Sequence, residues 1–284
     1  MPKMSGGEAL VRTLRREGVE VIFGLPGVQM YGIIAAIRDT PGIRMITTRH
    51  EGATTYMADG YARAGGRVGV AMVVPGPGVY NAGGGLSTAY SASSPVLLVA
   101  GQIPRDQIGK NLGGLHEIND QLDAVKPVTK WRKRVLHPGQ VADAVHEAFR
   151  ELKSGRPRPV EFELPPEAMI ELADVEIPEP APSSRKPAAQ ETVKKAVEML
   201  RVAKSPVIYA GGGVHLSDSY DELKDLAEAM QAPVFTSSAG KGAIEDRHPL
   251  CLGASLGPAG ALREFFDSAD LVLAVGTRFA MAMP

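Results

Sequence analysis

Short apolar runs that end in glycine or proline, each followed by residues at helical spacing, constrain this chain more than any other feature. Residues 19–25 form one such run and stop at Pro26-Gly27. Residues 68–74 form another and stop at Pro75-Gly-Pro-Gly78. Residues 95–100 are wholly apolar and lead into a long polar loop over 101–121. Helices are expected over 5–17, where Ser5-Gly-Gly-Glu8 is a capping box and Gly18 a stop, and over about 30–38. Further helices are expected after Glu51 and through Asn81. An edge strand is expected over 128–135 and a closing strand over 160–164. Between them lies a helix over 138–153, with Val141, Val145, Ala148 and Leu152 on one face. This alternation predicts an α/β fold, a doubly wound, mostly parallel sheet with helices on both faces. Such sheets bind ligands beyond the carboxyl ends of their strands, at the point where the strand order reverses.

The alternation breaks at residues 166–189, which include Ile177-Pro-Glu-Pro-Ala-Pro-Ser-Ser-Arg-Lys-Pro187. This proline-rich stretch is expected to be a semi-extended linker between a first domain, 1–165, and a second over 190–284. The second domain is expected to be Rossmann-like and incomplete. Its strands are placed at 206–210, 233–236 and 271–275, with helices near 191–203, 218–230 and 259–266. A unit whose last clear element is an apolar strand suggests the front part of something longer. A length of 284 residues suits two domains. The net charge of −1 gives no pull towards nucleic acid or an anionic membrane. No run approaches the ~18 apolar residues of a membrane span. The one cysteine, Cys251, excludes an intrachain disulfide, fits a reducing cytoplasm and is expected as a buried apolar filler.

Chemistry concentrates where residues 43–47, expected as a short buried strand, hand over to a helix with Ala53, Tyr56, Met57 and Tyr61 on one face. Glu51 sits at that junction beside Gly52 and Ala53, with room for a ligand. The competing account is a carboxylate placed there because the helix dipole favours it. Pro26, Gly27, Glu51 and the turn carrying Pro77 and Asn81 all fall at the ligand edge of the expected sheet. His116, in the loop 113–120, suits acid–base chemistry or mere solvation. Gly211-Gly-Gly213 after a strand suits a pyrophosphate, and hence a nucleotide-binding oxidoreductase, or plain tight-turn packing. No metal-ligand spacing occurs, and His137, His146, His215 and His248 look incidental.

As an ordered set these motifs resemble the thiamine-diphosphate enzymes of the acetolactate synthase, pyruvate oxidase and benzoylformate decarboxylase group. The matching segments begin with Phe23-Gly-Leu-Pro-Gly27, Arg49-His-Glu51 with Met57-Ala-Asp-Gly-Tyr-Ala-Arg63, and Gly76-Pro-Gly78 with Asn81. They continue through the Pro95 to Pro104 run, Pro127-Val-Thr-Lys130 and Ser154-Gly-Arg-Pro157. Gly240-Lys-Gly-Ala243, His248-Pro-Leu250 and Gly276-Thr-Arg-Phe279 extend the likeness into the family's central domain.

The resemblance implies an amino-terminal pyrimidine-binding domain acting in a 2-oxo acid decarboxylase or carboligase. Glu51 would hydrogen-bond N1′ of the aminopyrimidine, favouring the imino form that removes the thiazolium C2 proton for ylid formation. Such a glutamate shares a proton with a ring nitrogen, so an apolar pocket would help it and the helix N-terminus would oppose it. Pro26, Gly27, Pro77 and Asn81 would flank the pyrimidine, and His116 would face the substrate. The diphosphate and its Mg²⁺ would be held by a carboxyl-terminal domain that this chain lacks. FAD in the central domain, and a homodimer or homotetramer sharing active sites, are implied in the same way. Val28-Gln29, Pro75 and Leu115-His116 depart from acetolactate synthase, all on the substrate side. A non-catalytic binding or regulatory paralogue that keeps the fold is the alternative.

Overall fold

The computed structural model describes residues 2–182, 187–254 and 256–279. The chain divides into two compact units, Met1–Arg185 and Lys186–Pro284.

In chain order the first unit comprises β1 (Lys3–Ser5), α1 (Gly6–Arg16), β2 (Val21–Gly24), α2 (Tyr31–Asp39) and β3 (Arg44–Thr47). Then come α3 (Glu51–Gly65), β4 (Gly69–Val73), α4 (Pro77–Ala92), β5 (Val96–Gly101) and α5 (Gln121–Val125). It closes with β6 (Trp131–Arg134), α6 (Val141–Leu152), β7 (Val160–Leu164), α7 (Pro166–Ile170) and β8 (Leu172–Asp174). Six strands form one parallel sheet in the order β3-β2-β4-β5-β7-β6. Its core has two halves. Leu10, Leu14, Ile33 and Phe149 from α1, α2 and α6 pack on one face, and Ala58, Val79, Leu86 and Val125 from α3, α4 and α5 on the other. This is the doubly wound architecture the sequence predicts. The strand order reverses between β2 and β4, so the ligand crevice of such a sheet falls at the loops after those two strands.

Local signals account for much of this. Ser5 caps α1, its hydroxyl accepting from the Glu8 amide at 3.2 Å, and Gly18 follows with φ +91°. Pro77 opens α4, where its missing N–H costs nothing.

Two expectations fail, the buried 43–47 strand and the 166–189 linker, and the outward face of α3 is one the spacing left open. The 43–47 strand is not buried. As β3 it lies at the sheet edge, with Arg44 and Thr47 exposed. The Tyr56 and Met57 face of α3 points outward, with Tyr56 53% exposed, while Thr54, Thr55, Ala58 and Asp59 face inward. The 166–189 stretch contains α7 and β8, and β8 pairs antiparallel with β1. Val175 and Ala181 are buried in the first core, and the Ala181 amide donates to buried Glu17 at 2.8 Å. Residues 183–186 of that stretch lie outside the described residues.

The second unit comprises α8 (Gln190–Val202), β9 (Pro206–Ala210), α9 (Gly213–Ser217), α10 (Tyr220–Met230), β10 (Val234–Thr236), β11 (Cys251–Gly253), α11 (Ala261–Asp267) and β12 (Leu271–Val275). Its parallel sheet runs β11-β10-β9-β12. Cys251 is half-buried in the edge strand β11, packed against the core but not within it. Among the described residues no helix is long and apolar enough to cross a membrane.

One feature of β7 violates the apolar rule for interior parallel strands. Glu161 and Glu163 point to the same face and are fully buried. Among the described residues neither Glu161 carboxylate oxygen has a hydrogen-bond partner. Burial, and next the charge of Glu163, push the Glu161 carboxyl well above its ordinary value of 4.5. The folded state therefore holds a proton that the unfolded state releases, and stability falls as pH rises above that ordinary value. Glu161→Leu should reduce this decline, part of which remains because burial raises the Glu163 carboxyl too, and should stabilise the fold by about 1–3 kcal/mol at neutral pH. Urea unfolding between pH 5 and pH 9 checks it; an unchanged pH slope in the variant would contradict the assignment.

Candidate functional site

The loops after β2, β3, β4 and β5 lie along the carboxyl edge of the first sheet and hold one another by short contacts. Thr48, leaving β3, donates its amide to the Gly24 carbonyl at 3.0 Å. A Cβ on Gly27 would lie 2.2 Å from Val74 Cγ1, so the β2 and β4 loops meet without room for a side chain. Gly27 is extended and opens a short 3₁₀ turn over Val28–Met30, while Pro26 beside it is exposed.

Glu51 is the first residue of α3. The helix is capped by its neighbour, because His50 Nδ1 accepts the Gly52 amide at 3.0 Å. The Glu51 carboxylate is thereby left to make another contact. Asn81 Nδ2, from the second turn of α4, donates to Glu51 Oε2 at 3.0 Å. Among the described residues Oε1 takes no hydrogen bond, so a half-buried acceptor faces the crevice. Gly78 provides the clearance beside it, since an added Cβ there would lie 3.7 Å from Glu51 Cγ and 2.8 Å from Val74 Cγ2. Pro77, before it, is exposed.

His116 sits on the far side of the same turn. Its backbone has φ +69°, and its carbonyl oxygen would lie 2.3 Å from a Cβ at Gly76. Its Nδ1 lies 3.3 Å from Gln29 Oε1, and buried Gln29 donates Nε2 to the Leu115 carbonyl at 3.3 Å. Gln29, Pro75 and the adjacent pair Leu115-His116 stand well apart in the sequence. Here Gln29 bonds His116 and Leu115, and Pro75 precedes the Gly76 that His116 abuts. Glu51 and His116 thus flank one glycine turn.

Sequence reading did not single out Gln102, Gln121, Glu163 or Glu117. Gln121 Oε1 accepts the Gly76 amide at 3.0 Å, and Gln121 Nε2 donates to Glu163 Oε2 at 2.7 Å. Glu163 also takes Gln102 Nε2 at 3.2 Å and pairs with Arg134. The visible signal was two glutamates in an otherwise apolar strand; Gln121 at a loop's end carried none. Glu117 accepts amides of its own loop, from Gly114 at 2.9 Å and Leu112 at 3.3 Å.

The glycine candidates of the second unit have packing roles within that unit. Gly211, Gly213 and Gly276 are packed against one another: a Cβ at Gly211 would meet the Gly276 oxygen at 2.5 Å, and one at Gly213 the Gly276 Cα at 2.5 Å. Among the described residues no group of three or more His, Cys, Asp or Glu side chains could hold a metal ion.

Two family descriptions match the chain. "Thiamine pyrophosphate enzyme, N-terminal TPP binding domain" covers residues 4–125, and "Thiamine pyrophosphate enzyme, central domain" covers residues 193–283. A probable 2-ketoarginine decarboxylase of Pseudomonas aeruginosa is 38% identical over 98% of this chain and 49% of its own length. A probable acetolactate synthase large subunit of Methanocaldococcus jannaschii is 37% identical over 98% of this chain and 48% of its own. The acetolactate synthase large subunit of Lactococcus lactis is 35% identical over 97% and 48%. The chain spans about half the length of these relatives.

The Glu117 contacts generate a test of how the His116 loop is built. Hydrogen bonds from the Gly114 amide, then others of the same loop, hold its carboxyl below the ordinary range. The loop's order is therefore complete above the ordinary carboxylate value and is lost as pH falls through the lowered one. Glu117→Ala should speed amide exchange at Leu112 and Gly114 by about tenfold at neutral pH, as read by NMR. Unchanged exchange would show that the carboxylate does not shape the loop.

Proposed function

This chain belongs to the thiamine pyrophosphate enzyme family, and on that premise we propose that it is the amino-terminal portion of a thiamine-diphosphate-dependent 2-oxo acid decarboxylase or carboligase. The first unit takes the aminopyrimidine half of the cofactor and the second is the family's central domain. One observation carries the reading: at the switch-point crevice Asn81 holds Glu51 Oε2 at 3.0 Å, while among the described residues Oε1 takes no hydrogen bond. That donor set fits a ring nitrogen that shares a proton with an acceptor. When bound, the cofactor supplies the carbanion chemistry; the protein supplies binding, orientation and proton placement.

Glu51 acts as the proton-sharing partner of the pyrimidine ring, and Asn81 fixes which oxygen is offered. Backbone groups at Pro26, Gly27 and Pro77 border the ring. His116 is the polar group on the substrate side, and Gln29 sets its orientation. A relative named for 2-ketoarginine and others named for acetolactate synthesis support a 2-oxo acid as the substrate class. The diphosphate and its Mg²⁺ are assigned to a domain outside these 284 residues. Tyr56, Met57 and Tyr80, exposed on α3 and α4, support burial of this face in a homodimer or homotetramer. The resemblance also raises FAD; the mutual packing of Gly211, Gly213 and Gly276 supports a structural use of those glycines instead. A single cysteine fits a cytoplasmic setting.

Glu51→Gln in the holoenzyme should slow hydrogen–deuterium exchange at the cofactor's C2 by ~10²-fold or more, with cofactor affinity changed far less. Exchange at the parent rate in that variant would remove Glu51 from the role.

A further inference from the structure

The Gly76 turn lies between Glu51 and His116, and its own amide is the point at which it is held. Gly76 adopts φ +56° and ψ −110°, and it is buried. That conformation, closed to residues with a side chain, turns its N–H inward, where a buried donor requires a partner. Gln121 provides one at 3.0 Å. The same side chain is itself fixed from two directions, donating to the Gly101 carbonyl at 2.9 Å and to Glu163 Oε2 at 2.7 Å. Gln121 and Glu163 are fully buried, and Gln102, which donates to the other Glu163 oxygen, is nearly so. Glu163 is anchored in β7, paired with Ala100 of β5 on one side and with Arg134 of β6 on the other.

We propose that Gln121, held by Glu163, is a positioning residue whose amide fixes the Gly76 turn from which α4 carries Asn81 to Glu51. The inference rests on the reading of Glu51 as the group that engages the cofactor. Its physical content is a route from a rigid sheet to a loop. The interior of the sheet places a carboxylate, the carboxylate orients a carboxamide, and the carboxamide sets the start of a helix. Charge-assisted bonds suit this use because they resist reorientation better than neutral ones. Gln121 does not touch the cofactor or substrate.

Gln121→Leu keeps the bulk of the side chain and removes both ends of the relay. In the protein without cofactor, amide exchange at Gly76 should accelerate by about tenfold. In the thiamine-diphosphate holoenzyme, proton exchange at C2 and kcat should fall together, by ~10–100-fold, with KM for the 2-oxo acid nearly constant. Gln121→Glu provides the control should the leucine variant unfold. A protonated carboxyl reproduces both bonds, whereas an ionised one sets a second carboxylate against Glu163, whose own carboxyl is already raised by burial despite Arg134. Gly76 protection and C2 exchange should therefore recover at low pH and be lost as pH rises. Unaltered Gly76 exchange in Gln121→Leu overturns the relay, and accelerated Gly76 exchange with unaltered C2 exchange overturns its positioning role. A pH-independent Gln121→Glu variant overturns the relay as well. Failure of the thiamine reading would show separately, in the parent holoenzyme, because the Gly76 measurement needs no cofactor.

Discussion

Helices α3 and α4 approach so closely that a methyl group at Gly85 would lie 2.3 Å from Thr55 Oγ1 and 2.7 Å from the Tyr56 nitrogen. Across the same contact Thr55 donates its hydroxyl to the Ala82 carbonyl at 2.9 Å, and the Asn81 carbonyl sits 3.2 Å from where a Cβ on Gly52 would stand. Everything at the site inherits this spacing. With larger residues at Gly52 or Gly85 the two helices would separate, and the Asn81 amide would no longer reach Glu51. The carboxylate's orientation is therefore a consequence of helix packing as much as of its own contacts. A hydrogen bond that a side chain alone would make loosely is held by the backbones of two helices.

The sheet supplies the second constraint. A parallel sheet wound in both directions leaves a gap where the order reverses, and here that gap separates the loops after β2 and β4. Those loops are too tight to carry side chains at Gly27, Gly76 and Gly78, so they contribute backbone and clearance. The side chains of the candidate site come instead from the first two turns of the helices that follow and from the loop after β5. Beneath them, Glu163 and its partners place buried charge in the sheet near the crevice, where compensation by Arg134 and two glutamines keeps it in place. Glu161 shares that face, among the described residues without such partners, and burial raises its carboxyl well above the ordinary range.

The parallel sheet, the switch point and the position of Glu51 were all legible in the sequence, because each rests on local spacing. Apolar runs, their Gly/Pro stops and a carboxylate at a strand–helix junction need no knowledge of strand order; the switch point follows from the doubly wound class, and its place between β2 and β4 from the observed order. What failed depended on neighbours distant in sequence. The 43–47 run is apolar yet half-exposed because strand order puts it at the edge. Tyr56 and Met57 recur at helical spacing, and the close approach to α4 admits small and hydroxyl side chains inward and turns these large ones out, which local spacing does not reveal. The proline-rich 166–189 stretch lacks periodicity because its strand has only three residues, and it docks through Glu17, 164 positions from Ala181. Gln121 was silent for a similar reason: its role lies in three partners that no local pattern announces.

The account stands on the Glu51 carboxylate meeting the pyrimidine ring. ¹⁵N NMR of the holoenzyme, loaded with thiamine diphosphate labelled at N1′, reads that contact directly. The N1′ resonance should shift from its free-cofactor position towards that of a proton-sharing nitrogen, and Glu51→Gln should return it. A bound cofactor whose N1′ resonance matches the free form, or is indifferent to the substitution, would contradict the account.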